Sequence, residues 1–166
     1  MIFRQAKLED IKKIQEIERK YYEGFNCPLK TLEEWIKNLP ENFIVAEQNK
    51  KIIGFIFFEY LNETKAVPFI HTLEHKKDGR FVYVSEVGVL DRHENVLQQL
   101  LDKLIEKAIK DDCKKIIWLT GQKYKHDKLE SKILKQNNFT KLKKVFEWEY
   151  YPNKFVSDHW LWEKII

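Results

Sequence analysis

A chain of 166 residues with 43% hydrophobic side chains is long enough to bury roughly 70% of the surface its unfolded form exposes, so a single domain over residues 1–166, unstapled by metal or disulfide, is expected. Lys and Arg (30) barely outnumber Asp and Glu (26), and the net charge of +4 is not gathered into one stripe, which speaks against a nucleic-acid partner. The longest apolar run, residues 52–58, falls far short of the ~20 residues a membrane helix needs. No signal peptide fits the charged N-terminus, and two distant cysteines, Cys27 and Cys113, read as free thiols of a reducing, cytoplasmic compartment.

In chain order, residues 2–6 read as a strand. Leu8, Ile11, Ile14, Ile17 and Tyr21 then recur at helical spacing, with Asp10 near the start. Gly24, Asn26 and Pro28 interrupt this pattern. Thr31-Leu32-Glu33-Glu34 matches the S/T-x-x-E capping box and predicts a helix over 31–39, stopped by Pro40. From Phe43 the period becomes two, so residues 43–48 and 51–61 read as a hairpin closed at Asn49-Lys50. A loop over 62–68, a strand or helical turn over 69–75 and a turn at Asp78-Gly79 precede a strand over 80–90. A long helix follows, with Leu97, Leu101, Leu104, Ile105 and Ala108 on its apolar face. Residues 115–120 form a nearly continuous apolar strand, expected to run parallel to the strand before that helix. After a basic loop over 121–126, Asp127-Lys128-Leu129-Glu130 resembles a second capping box, with Asp127 as cap of a helix to about 137. Strands near 139–151 and 160–165 close the chain.

The order β α α β β β α β α β β describes an α/β (α+β) mixed sheet of about seven strands with helices on both faces. That order, the opening IFRQAKLEDI, the hairpin IVAEQNKKIIGFIF, SEVGV before a long helix, and the helix-to-NNF segment over 131–139 resemble the GNAT superfamily of acyl-CoA-dependent N-acetyltransferases along nearly the whole chain. The resemblance implies transfer of an acetyl group from acetyl-CoA to a primary amine of a small-molecule or peptide acceptor by direct attack. It implies no metal and no membrane, and leaves a homodimer open.

It also implies that the fourth strand bulges at Gly88 and splays from the fifth, so that Val87 and Val89 offer backbone groups to pantetheine. A strand glycine marks a bulge or close backbone approach, and packing beneath a bulky neighbour explains it equally well. Glu86 stands where the family often has an acid that takes a proton from the amine; a solvent-facing or salt-bridged glutamate is the plain alternative. Arg92, His93, Glu94, Asn95, Val96 and Leu97 align with the pyrophosphate loop Q/R-x-x-G-x-G/A. Arg92 keeps the basic position, whereas Asn95 and Leu97 replace both small residues and crowd a diphosphate's path to the helix N–H groups, unless Leu97 turns into the core. An Asp91 and Glu94 cap would satisfy those donors internally.

Leu134 falls on the family's tyrosine, which protonates the leaving thiolate, so Tyr124 or Ser131 must serve or the thiolate leaves unassisted. Asp127 stands where the family often has Asn, and a plain N-cap explains it too. Lys123, Lys125, His126 and Lys128 form a solvated basic face or meet the 3′-phosphate of CoA. His71-Thr72-Leu73-Glu74-His75 spells H-x-x-E-H but lacks a third zinc ligand; as a strand it would put both histidines on one face, lining an acceptor site. Trp118, Trp148, Trp160 and Trp162, on strands, read as core or as the rim of a pocket. The lost small residues and Leu134 favour an alternative, a catalytically silent acyl-CoA-binding regulatory or interaction module.

Overall fold

The computed structural model describes residues 1–23, 27–62, 79–90, 93–121, 125–145, 148–151, 154–156 and 159–166. Its elements are β1 (Ile2–Gln5), α1 (Ile11–Tyr21), α2 (Leu29–Asn38), β2 (Phe43–Gln48), β3 (Lys51–Leu61), β4 (Phe81–Val89), α3 (Glu94–Lys110), β5 (Lys115–Thr120), α4 (Lys125–Gln136), β6 (Thr140–Val145), β7 (Trp148–Tyr151), β8 (Lys154–Val156) and β9 (His159–Ile165). Short 3-10 turns at Leu8–Asp10 and Pro40–Asn42 lead into α1 and β2. Seven strands make one mixed sheet in the order β1-β2-β3-β4-β5-β9-β6, and β7 pairs with β8 in a separate two-stranded sheet. As the sequence predicts, β4 and β5 are parallel, while β2 and β3 form an antiparallel hairpin. Its two-residue turn places Asn49 (φ 51°) and Lys50 (φ 61°) in the left-handed region, the conformation whose twist matches the flanking strands.

Three expectations are corrected. Helix α2 begins at Leu29, not Thr31: Pro28, with extended ψ, takes the cap position, and its carbonyl accepts the Thr31 and Leu32 N–H groups at 3.0 and 3.2 Å. Thr31 therefore lies inside the first turn and cannot cap. Helix α4 begins at Lys125, so Asp127 is also inside a first turn, where a carboxylate still favours the helix dipole. The C-terminal third holds four described strands rather than two: β6 ends at Val145 and β7 begins at Trp148 within the stretch expected as one strand, and β8 stands between β7 and β9. The strand or turn expected over 69–75 lies outside the described residues.

The chain falls into two compact units, residues 1–58 with 85–104, and residues 59–84 with 105–166. In the first, the stripe Ile11, Ile14, Ile17 and Tyr21 of α1 is buried, and Trp35 of α2 stacks on Phe57 of β3 at 4.2 Å between ring centroids. A Cβ on Gly88 would meet Phe55 and Ile17, whereas one on Gly54 would meet Val89 and Val96. Neighbouring strand residues point to opposite faces, so α1 lies on one face of this part of the sheet and the start of α3 on the other. Arg4 ties β1 to β2 through Glu47 (2.8 Å) and to the turn before α1 through Asp10 (2.7 Å).

The second unit is built on β5, buried from Ile116 through Thr120. Two of its indole N–H groups are satisfied inside, Trp118 donating to Glu130 at 2.9 Å and Trp162 to Thr120 at 2.8 Å, whereas the buried Trp160 Nε1 has no hydrogen-bond partner among the described residues. Tyr60 donates to Asp111, which also pairs with Lys107 at 2.9 Å. Cys27 and Cys113 are both buried and neither is in a disulfide. No described helix is long and apolar enough to cross a membrane.

Candidate active site

Of the residues singled out from sequence, Glu86, Val87, Gly88, Val89, Asn95, Val96 and Leu97 belong to the first unit and Asp127 to the second. Arg92 and Tyr124 lie outside the described residues, as do His71, His75 and Lys123. The parallel ladder between β4 and β5 runs from Phe81–Lys115 to Val84–Trp118 and ends there, although β4 continues to Val89 and β5 to Thr120. The backbone of Ser85 through Val89 therefore stands outside that ladder. Within the first unit, the Val87 N–H donates to the Tyr22 hydroxyl over a long 3.4 Å, and Leu90 N–H donates to Ile53 of β3 at 2.9 Å.

Glu86 is 3% exposed, so the solvent-facing alternative does not apply. Strand alternation puts its side chain on the same face as Gly88, the face that α1 covers. Gly88 itself has a packing reason for being glycine: an added Cβ would lie 2.8 Å from Phe55 Cε1 and 3.2 Å from Ile17 Cγ2. Phe55 is fully buried against Phe43 and cannot retreat. Gly88→Ala is therefore expected to destabilise the protein by about 1–3 kcal/mol, a Tm loss of roughly 2–12 °C by thermal unfolding. An unchanged Tm would mean that the ring shifts freely and that the glycine serves the backbone instead.

Leu97 is fully buried and Asn95 is exposed, so the larger of the two residues that replace the loop's small positions turns into the core. Helix α3 starts at Glu94, which makes His93 rather than Asp91 the capping position. The Val96 N–H closes the first turn by donating to the His93 carbonyl at 2.8 Å. That donor is committed. The would-be Cβ of Gly54 lies 3.0 Å from Val89, 3.1 Å from Val96 and 3.2 Å from the Gly88 carbonyl, so Gly54 lets the end of β4 and the start of α3 close together.

In the second unit, the Asp127 carboxylate presses against Gly121, whose added Cβ would fall 2.5 Å from Oδ1, and His126 Nε2 lies 3.4 Å from the same oxygen. Ser131 Oγ is 3.4 Å from Thr120 Oγ1, and Leu134 is buried at 1% exposure. Lys125 and Lys128 are exposed on the first turn of α4. Among the described residues no three His, Cys, Asp or Glu side chains gather as a metal site would require.

One ionisable group stands out that sequence motifs did not mark. Glu18 of α1 is fully buried, and burial pushes its carboxyl up to about 7 while the Cys27 N–H pulls the other way. Its sequence signal is its place four residues after Ile14, on the apolar stripe where an acid does not belong.

The family model described as the acetyltransferase (GNAT) family matches residues 11–128. The fold is similar to that of Ard1 from Thermoplasma volcanium, with 14% identity over 99% of this chain and 97% of that one at a TM-score of 0.74. It is also similar to ribosomal-protein-alanine N-acetyltransferase from Brucella melitensis (16% identity, 100% of both chains, TM-score 0.72). A third similar structure is the GphF GNAT-like decarboxylase in complex with isobutyryl-CoA (10% identity, 99% of both chains, TM-score 0.74). At these identities the likeness is one of fold. No curated protein matches the chain in sequence.

Proposed function

We propose, for a chain that belongs to the GNAT acetyltransferase family, that it is a cytoplasmic enzyme transferring an acetyl group from acetyl-CoA to a primary amine of a small-molecule or peptide acceptor by direct attack. The observation that carries this reading is the β4 backbone that leaves its ladder with β5 after Val84, two residues before the buried Glu86.

The residues fit such a donor better at one end than at the other. Val87 and Val89 offer backbone groups outside the β5 ladder, and the 3.4 Å contact from Val87 N–H to Tyr22 is weak enough to exchange for a better acceptor. With Leu97 in the core, no large side chain at that position blocks the start of α3, although the Val96 N–H is already used. Bound acetyl-CoA supplies an acyl group activated as a thioester. The chain's own contribution is positioning and proton handling. Glu86 accepts the proton that the amine nitrogen must lose before its lone pair can attack. Leu134 can donate no proton, so the departing thiol relies on its own acidity or on Tyr124. Arg92, Asn95 and Asp127 remain proposed donor-binding residues on the strength of the family pattern.

A second reading, an acyl-CoA-binding module without transfer, is favoured by the buried Leu134 at the usual tyrosine position. Thermal unfolding with acetyl-CoA tests both, since a ligand at 100 times its Kd adds about 2.7 kcal/mol. Stabilisation together with thiol release on adding amines supports the enzyme. Stabilisation without release supports the module, and no shift at millimolar concentration removes both.

A further inference from the structure

Glu18 is a buried acid with no counter-charge among the described residues. It is 0% exposed, neither oxygen makes a hydrogen bond of normal geometry, and it forms no ion pair among the described residues. Buried polar groups are nearly always satisfied, and the exceptions ask for a reason such as an absent ion or ligand. Its place in the fold suggests the reason. Helix α1 is anchored over β4 at two points: Ile17 Cγ2 lies 3.2 Å from the would-be Cβ of Gly88, and the Tyr22 hydroxyl accepts the Val87 N–H at 3.4 Å. Glu18 follows the first anchor by one residue and precedes the second by four, so it shares the helix face of Tyr22. Glu86 rises from β4 on the side that α1 covers. Glu18 and Glu86, both buried, thus belong to one layer, between α1 and β4.

We propose that Glu18 is the ammonium-binding residue of the acceptor site, so that the acceptor is a primary amine that arrives protonated. An ammonium group brings the positive charge and the three N–H donors that Glu18 lacks. The carboxyl held up at about 7 chiefly by burial is what a missing counter-charge produces. Tyr22, half-buried just past the last residue of α1, is the side chain that swings aside to admit the amine. The inference rests on the acetyltransferase reading only in calling this amine the acceptor.

Thermal unfolding in ethylammonium, 1,4-diaminobutane and glycinamide hydrochlorides, against sodium chloride of equal ionic strength at roughly pH 8 so that Glu18 is ionised, tests it without any acyl transfer. The natural protein is expected to gain several degrees with at least one amine, Glu18→Gln to lose that gain, and Glu18→Asp to recover part of it. During turnover Glu18→Gln should raise the acceptor KM about tenfold and leave that of acetyl-CoA unchanged. No gain with any of the three amines, or an equal gain in Glu18→Gln, overturns the proposal. A gain that depends on Glu18 in a protein that neither binds acetyl-CoA nor releases thiol would sink the transferase reading alone.

Discussion

Replacing Glu86 with glutamine is expected to lower amine-dependent thiol release by about 10²- to 10⁴-fold, the range that a positioned general base supplies. Glutamine keeps the size of the side chain and much of its hydrogen bonding, and loses only the ability to take a proton. Because Glu86 is 3% exposed and lies two residues beyond the end of the β4–β5 ladder, bulk water has little access to stand in for it. The loss should fall on kcat, whereas Glu18→Gln should fall on the acceptor KM, since one residue handles the proton and the other holds the charge. Stabilisation by acetyl-CoA should persist in Glu86→Gln, which separates lost chemistry from lost folding. A variant with undiminished turnover removes Glu86 from the reaction and leaves it a buried structural acid.

Hydrophobic period carried most of the fold. The two-residue alternation of residues 43–61 and the 3.6-residue stripe through Leu97, Leu101 and Leu104 are each dictated by which side chains must leave water, and both elements lie where those patterns put them. The boundaries were less legible, because capping motifs are short. Thr31 has the right neighbours for a cap, yet Pro28 holds an extended conformation and offers its carbonyl to the first turn three residues earlier. At the site, Glu86 and Gly88 came from a family resemblance, and the structure adds what residue type alone does not carry: Phe55 and Ile17 crowd Gly88, and Glu86 is shut away from solvent. Leu97 illustrates a choice that only packing decides. Its side chain either blocks a phosphate path or fills the core, and zero exposure selects the core. Glu18 needed both levels. Its spacing from Ile14 puts it on the buried stripe, and three-dimensional packing leaves it there without a hydrogen bond of normal geometry among the described residues.

The burial of Glu18 also governs stability. Glu18→Gln is expected to stabilise the protein above neutral pH by about 3 kcal/mol, or roughly 6–12 °C in Tm. Burial raises the folded carboxyl from 4.5 to about 7, opposed by the Cys27 N–H. At pH values between those two figures the folded state keeps a proton that the unfolded chain has released, so stability must fall as pH rises through this window. Below it both states are protonated and Glu18 contributes nothing; above it both are ionised and the full penalty is present. Asp10 acts in a different window. Burial pushes its carboxyl up, but hydrogen bonds from the Arg4 side chain and the Lys7 N–H hold it below its ordinary 3.8, so the stability it contributes is lost only as pH falls through that lower value. Urea unfolding of the natural protein and Glu18→Gln from mildly acidic to mildly alkaline pH separates the two. The natural protein should lose stability over the Glu18 window, the variant should be nearly flat there, and both should weaken alike in stronger acid. An equal slope in the variant would mean that another buried group titrates in this range. An ammonium ion bound beside Glu18 should flatten the natural protein's slope as well, because it restores the charge that burial withholds.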